Sequence, residues 1–198
     1  MEEQNLIMPD PRPTRADAVK NRELLLETAT RLFHQNGVET VTMSQIAQEA
    51  QVGKGTLYRH FTSKTDICYA LLDQDQRDLQ NQTLRRLSQH NTPCDNLRWF
   101  LEQAVHFVAR HDDLLASGDE STTSVFIHHR AHLWWRQTIR GLLGKLNPNL
   151  DVDYAADVLY IMLDVNAIRF QRRVQGYDIT RIIAGLHTTM ERLTLQTD

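Results

Sequence analysis

Between Lys54 and Lys64 the chain gathers hydrogen-bond donors: Lys54, Thr56, Tyr58, Arg59, His60 and Lys64, with Gly55 among them. Ammonium, guanidinium, hydroxyl and imidazole groups at this spacing suit phosphate oxygens and the acceptor edges of bases, and Gly55 permits close backbone approach. No carboxylate stands in that stretch to serve as a base. Upstream, Thr42 and Ser44 offer hydroxyls at the start of a short helix, where the dipole also favours an anion. The chemistry these residues can do is binding, not bond-making.

Other constellations carry less. His128 and His129 precede His132 by four and three residues, a spacing that could set two imidazoles on one metal, but no cysteine joins them and the three cannot share one helix face, so no metal site is assigned. A helical metal-dependent phosphohydrolase would need a His, His-Asp and Asp set, which His90, His111, Asp112 and Asp151 supply only across a proline break and loops. There is no Gly-x-Ser-x-Gly elbow, no Gly-rich phosphate loop and no arranged carboxylate pair. Cys68 and Cys94 lie far from metal or redox spacing and read as reduced thiols. No enzyme and no cofactor are expected.

The elements that must position the donors follow from apolar periodicity. Leu24, Leu25, Ala29, Leu32 and Phe33 mark a first helix that stops at Asn36-Gly37. A second helix runs Ser44 to Ala50, with Ile46, Ala47 and Ala50 on one face. Gln51-Val52-Gly53 is long enough only for a tight turn, and Lys54 to His60 form a third helix with Leu57 and Phe61 inward. Ile46, Ala47, Val52, Leu57 and Phe61 would fix the angle of the two short helices and free the first half of the third for the major groove, so Lys54, Gly55 and Thr56 are assigned to base contact. Thr62 to Asp66 cap a fourth helix carrying Ile67, Ala70, Leu71 and Leu72, which turns polar from Asp73 to Gln82 as a connecting helix would.

Over Thr42–Lys64 the string TMSQIAQEAQVGKGTLYRHFTSK resembles the helix-turn-helix of the TetR family, whose pattern runs Thr, Ile-Ala, a turn, Gly-Thr-Leu-Tyr-x-His-Phe and Ser-Lys. The resemblance implies a DNA-binding regulator, with Tyr58, His60 and Lys64 at positions that usually touch phosphates. Two departures stand out. Gln51 occupies the usual turn glycine, where a left-handed backbone would cost stability, and Gly53 replaces a frequent serine cap.

Composition is compatible with this reading. The 198 residues are 41% hydrophobic and 24% charged, enough for a real core. The net charge of −3 speaks against nucleic acid in bulk, yet residues 12–66 hold eight Lys and Arg against six Asp and Glu. No signal-peptide core and no run near 18 apolar residues is present, so a cytoplasmic protein without membrane contact is expected.

Farther along, a helix from about Leu97 to His111, a loop over 112–124, long helices near Val125–Leu146 and Asp153–Gln175, and a last one near Ile179–Leu195 complete an all-α protein of about nine helices. The expected division is a flexible arm at 1–18, a DNA-binding domain at 19–66 and a ligand-binding and dimerisation domain at 67–198. All three tryptophans fall in that last part. Trp99, Phe100, Phe107, Phe126, Trp134 and Phe170, with Gln103, His106, His129, Asp164, Asn166 and Arg169 as polar anchors, are the candidates for holding an unidentified small molecule. Core packing alone would also explain them, and Asp164 and Asn166, interrupting an apolar helix, need partners if buried.

By family analogy a homodimer forms through Ala155, Val158, Leu159, Met162, Val165 and Ile168 together with Ile182, Ile183, Leu186, Met190 and Leu193. It would read a palindromic double-stranded operator as a repressor. The mechanism this suggests has the ligand shifting the fourth helix, Lys64–Asp75, and with it the spacing of the recognition helices. A regulator without effector, or one answering a metal, is the alternative.

Overall fold

The computed structural model describes residues 15–116 and 130–195. Among these there are ten α-helices and no strand: α1 Arg15–Asn36, α2 Met43–Glu49, α3 Lys54–His60, α4 Lys64–Leu87, α5 Pro93–Arg110, α6 Asp112–Ala116, α7 Arg130–Leu146, α8 Val152–Ile161, α9 Val165–Arg173 and α10 Ile179–Thr194. The chain divides into two compact units between Ile67 and Cys68.

In the small unit α1, α2 and α3 pack on one another. Leu25, Ala29, Ile46, Ala47, Leu57, Phe61 and Ile67 are all buried there. Polar caps set the ends of these short elements. Gly37, at φ +80°, closes α1 with its N–H on the Phe33 carbonyl at 2.9 Å. Thr42 and Gln45 form a reciprocal capping box at the start of α2. Asp66 accepts from the N–H groups of Thr62 and Ser63 at 2.8 and 3.0 Å, while its own N–H donates to Ser63 Oγ at 3.1 Å. The turn after α2 demands a left-handed residue, and Gln51 supplies it at φ 54°, the one positive-φ side chain outside glycine among the described residues. Gly53 starts α3 with no side-chain cap.

The large unit is organised around α5, whose Leu97, Phe100, Leu101, Ala104, Val105 and Val108 are buried. Thr92 caps this helix and Pro93 opens it, where a missing N–H costs nothing. α7, α9 and α10 lie against α5, and α8 against α7. Arg136 donates to the Asp157 carboxylate at 2.5 and 3.2 Å, and Arg140 to Asp153 at 2.7 Å, which ties α7 to α8.

Three expectations change. The segment after His111 opens as helix α6 instead of a loop, with Asp112 and Asp113 in its first turn beside the N-terminal dipole. The expected single helix over 153–175 is two, because Asp164 turns extended (ψ 137°) and its carboxylate accepts from the N–H groups of Asn166 and Ala167 at 2.8 and 3.2 Å. What read as a polar interruption is an exposed cap. Finally, Ala155, Leu159, Val165, Ile168, Ile182, Leu186 and Met190, expected at a dimer seam, are buried in this chain's own core. Tyr154, Ile161, Phe170 and Val174 are the apolar side chains that α8 and the α9 region leave exposed, at 70, 65, 52 and 68%. The expected start of α7 at Val125 lies outside the described residues.

Candidate functional site

Leu57, fully buried, and Phe61, at 3% exposure, hold α3 to the small unit by one side. Its other side therefore presents Lys54, Gly55, Tyr58 and Arg59 outward, with Thr56 half-buried among them. Among the described residues Lys54 makes no ion pair, and Arg59 donates to the Thr56 hydroxyl at 3.4 Å. Two cations are thus exposed on a helix that contains no carboxylate. A Cβ at Gly55 would meet nothing within 4 Å of this chain, so the backbone there is open to close approach. Tyr58 is 49% exposed despite its large ring.

The other expected contacts are partly committed within the chain. Thr42 Oγ1 donates to Gln45 Oε1 at 3.0 Å and accepts the Gln45 N–H at 3.2 Å, so its first task is to cap α2. Ser44 is exposed. Lys64 turns its ammonium onto the carbonyls of Val38 and Glu39 at 2.8 and 3.2 Å, fastening the α1–α2 link to the start of α4 and leaving a third N–H to spare. His60 is half-buried beside Phe61, its Nε2 enclosed without a partner. Sequence reasoning missed Arg22, whose guanidinium lies 5.4 Å from the Phe61 ring. Nothing in its spacing on α1 pairs it with a residue of the α3 cap.

The description "Bacterial regulatory proteins, tetR family" matches residues 25–71. An HTH-type transcriptional regulator of Staphylococcus aureus (strain bovine RF122 / ET3-1) is 26% identical over 157 residues, which cover 79% of this chain and 85% of that protein. Residues 25–71 carry the DNA-binding segment of the TetR family of transcriptional regulators. Another S. aureus regulator, from strain USA300, is 48% identical over 61 residues, 31% of this chain, where the match spans a third (33%) of the relative. Among solved structures, Thermus thermophilus FadR, a TetR-family repressor in complex with lauroyl-CoA, has a TM-score of 0.70 at 21% identity over 89% of this chain and 96% of that one. NalD of Pseudomonas aeruginosa, the secondary repressor of the MexAB-OprM multidrug efflux pump, has 0.66 at 21% identity, covering 91% and 99%. The SmeT–triclosan complex has 0.64 at 17%, covering 89% and 93%. TetR-family proteins are regulators, not enzymes.

In the large unit the expected effector residues separate into two sets. Phe100 and Phe107 are buried on α5, and Trp134 stands edge-on to Phe100 at 5.7 Å. Trp99 is half-buried under the Arg86 guanidinium at 5.2 Å, and Gln103 is half-buried on the same helix. His106, by contrast, is exposed, 4.0 Å from Glu102. Asp164, Asn166 and Phe170 are also exposed in the single chain, and Arg169 pairs with Asp113 at 3.9 Å. Phe126 and His129 lie outside the described residues, as does His128, and of His132 only the helical backbone is described. The His-Asp set that suggested hydrolysis is dispersed: His111 meets Asp75, Asp112 meets Arg173, and Asp151 caps α8. No described helix is long and apolar enough to cross a membrane.

Proposed function

We propose that this regulator is a homodimeric repressor that reads a palindromic operator through α3 and leaves it when a small apolar or amphipathic molecule binds in the large unit. The observation that carries the reading is the outward row of α3: Lys54, Gly55 and Thr56 at its first turn, Tyr58 and Arg59 behind them, with no acid in the helix. Donors at the first turn suit base edges, and those behind suit phosphates. Ser44, Thr42, His60 and Lys64 supply phosphate contacts at the flanks, Lys64 through the N–H its two carbonyls leave over.

One short helix reads few base pairs, so affinity calls for two copies about 34 Å apart along the duplex. The exposed Tyr154, Ile161, Phe170 and Val174 are the surface that supports pairing. For the effector, the support is the aromatic cluster of Phe100, Phe107 and Trp134, together with proteins of the same fold that hold lauroyl-CoA and triclosan. α4, continuous from Lys64 to Leu87, is the element that would transmit binding.

The test is fluorescence anisotropy of the purified protein on its own upstream promoter region and on random-sequence duplex at two salt concentrations. Preferential, salt-sensitive binding to the promoter by a dimer supports the reading. In a randomised-library selection, Lys54→Ala should change which sequence is enriched; an unchanged consensus removes Lys54 from base contact.

A further inference from the structure

One cation of the small unit is held in place without being neutralised. Arg22 lies on α1, outside the two short helices, and its guanidinium sits over the Phe61 ring with Cζ 5.4 Å from the centroid. Phe61 is 3% exposed and closes α3 with its N–H on the Leu57 carbonyl at 2.9 Å, so the ring that carries Arg22 is itself fixed. Arg22 is exposed and makes no ion pair among the described residues. Glu23, its neighbour in sequence, leaves the helix about 100° away. Arg31, nine residues farther along the same helix, is by contrast spent on Glu49 at 3.3 Å. Nine residues are about two and a half turns, so the two arginines leave α1 on opposite sides.

A guanidinium stacked on an aromatic face keeps its five N–H donors in its own plane, directed outward past the ring. That is the geometry of a bidentate contact to phosphate, and the stack has already removed freedom that a loose arginine would lose on binding. Covering Phe61 alone would be served equally by a long apolar side chain such as methionine. Phe61 stands seven residues after Lys54, about 10 Å along α3 from its first turn. Arg22 is thus set apart from the donors assigned to base edges, at the end of α3 where a duplex offers backbone.

Resting on the operator-binding reading above, we propose that Arg22 is a further DNA contact: its guanidinium, held by Phe61, clamps a backbone phosphate at the flank of each half-site. The contact adds affinity and salt dependence and carries no sequence information. α1 then has two tasks. Leu25, Ala29 and Phe33 anchor it in the core of the small unit, and its first half presents Arg22 to the duplex.

The experiment uses the full chain, a duplex that the wild-type protein selects from a randomised library, and a random-sequence duplex of the same length. Arg22→Met keeps an unbranched side chain over Phe61 and removes the charge. It should bind both duplexes about tenfold more weakly, lower the slope of log affinity against log salt by about 0.9 for each copy bound, and select the same sequence. Its thermal transition should match that of the wild type, which separates a lost contact from a loosened α3. Arg22→Lys keeps the charge and loses the planar fork, so affinity should fall while the slope is retained. Arg31→Met removes a cation already paired and should keep the wild-type slope. Replacing single phosphates by methylphosphonates should uncover one position in each half-site that weakens the wild type and leaves Arg22→Met unaffected. A wild-type slope in Arg22→Met, an equal fall in Arg31→Met, or the lack of such a phosphate overturns the proposal. A changed consensus does so as well, since it would make Arg22 a reader of bases. A selection that enriches no sequence removes the operator reading, while the slopes on the random duplex still decide whether Arg22 meets a phosphate.

Discussion

The two units treat their cations in opposite ways. In the large unit seven arginines are matched to acids: Arg77 to Asp73, Arg98 to Glu191, Arg136 to Asp153 and Asp157, Arg140 to Asp153, and Arg169, Arg172 and Arg173 to Asp112 and Asp113. There the Arg140 guanidinium holds the Asp153 carboxyl below its ordinary pKa. Among the described residues of the small unit Arg31 pairs with Glu49 at 3.3 Å, and the exposed cations of α3 stand without acids. A cation already paired has little to offer a phosphate, whereas an unpaired one releases counterions when it binds. The sign of a protein's total charge therefore matters less than which charges are already spent.

The comparison can be broken or sharpened by substitution. The largest effect should come from Leu57→Ala, which empties a fully buried site beneath α3 and costs about 2–5 kcal/mol. Because the cavity lies in the small unit, DNA binding should vanish while the thermal transition of the large unit stays in place; a single merged transition would show that the units do not unfold separately. Next is Arg59→Ala, set against Arg140→Ala. The slope of log affinity against log salt should fall by about 0.9 for the first, one phosphate contact, and stay unchanged for the second. Equal slopes would erase the distinction drawn here between spent and free charge. The smallest effect is a gain. Gln51→Gly relieves a left-handed side chain and should stabilise the small unit by about 1 kcal/mol in denaturant titration, without altering the DNA sequence preferred.

The same contrast governs what could be read from the sequence. The small unit is built from near neighbours, and the boundaries of α3 and the glycine stop after α1 follow from local chemistry, while the left-handed turn at Gln51 was legible only through the family resemblance. Even there, the task of Lys64 was hidden, since its carbonyl partners lie 26 and 25 residues away. In the large unit the decisive facts are tertiary. An aspartate within an apolar stretch reads identically whether it caps a helix or interrupts one, so the break at Asp164 could not be foreseen. Nor could the pairing of His111 with Asp75, 36 positions apart. The apolar periodicity of α8 to α10 gave helical structure there, but as two helices in place of three, and periodicity does not say whether a face meets its own core or another chain; Leu159, Ile168 and Leu186 went to the core.

The ammonium of Lys64 carries a further consequence, and it concerns time. The bonds within α2 and α3 and the turn between them close rings of a few residues and can form early. The Lys64 bridge to Val38 must first draw together chain ends 26 residues apart, paying a loop entropy that grows with the logarithm of that length. It should accordingly be absent from the folding transition state, so that losing it speeds unfolding and leaves the folding rate nearly untouched. The start of α4 would then be the last part of the small unit to dock and the first to come away, which places the most readily opened seam of the DNA-binding unit at the helix that leads out of it.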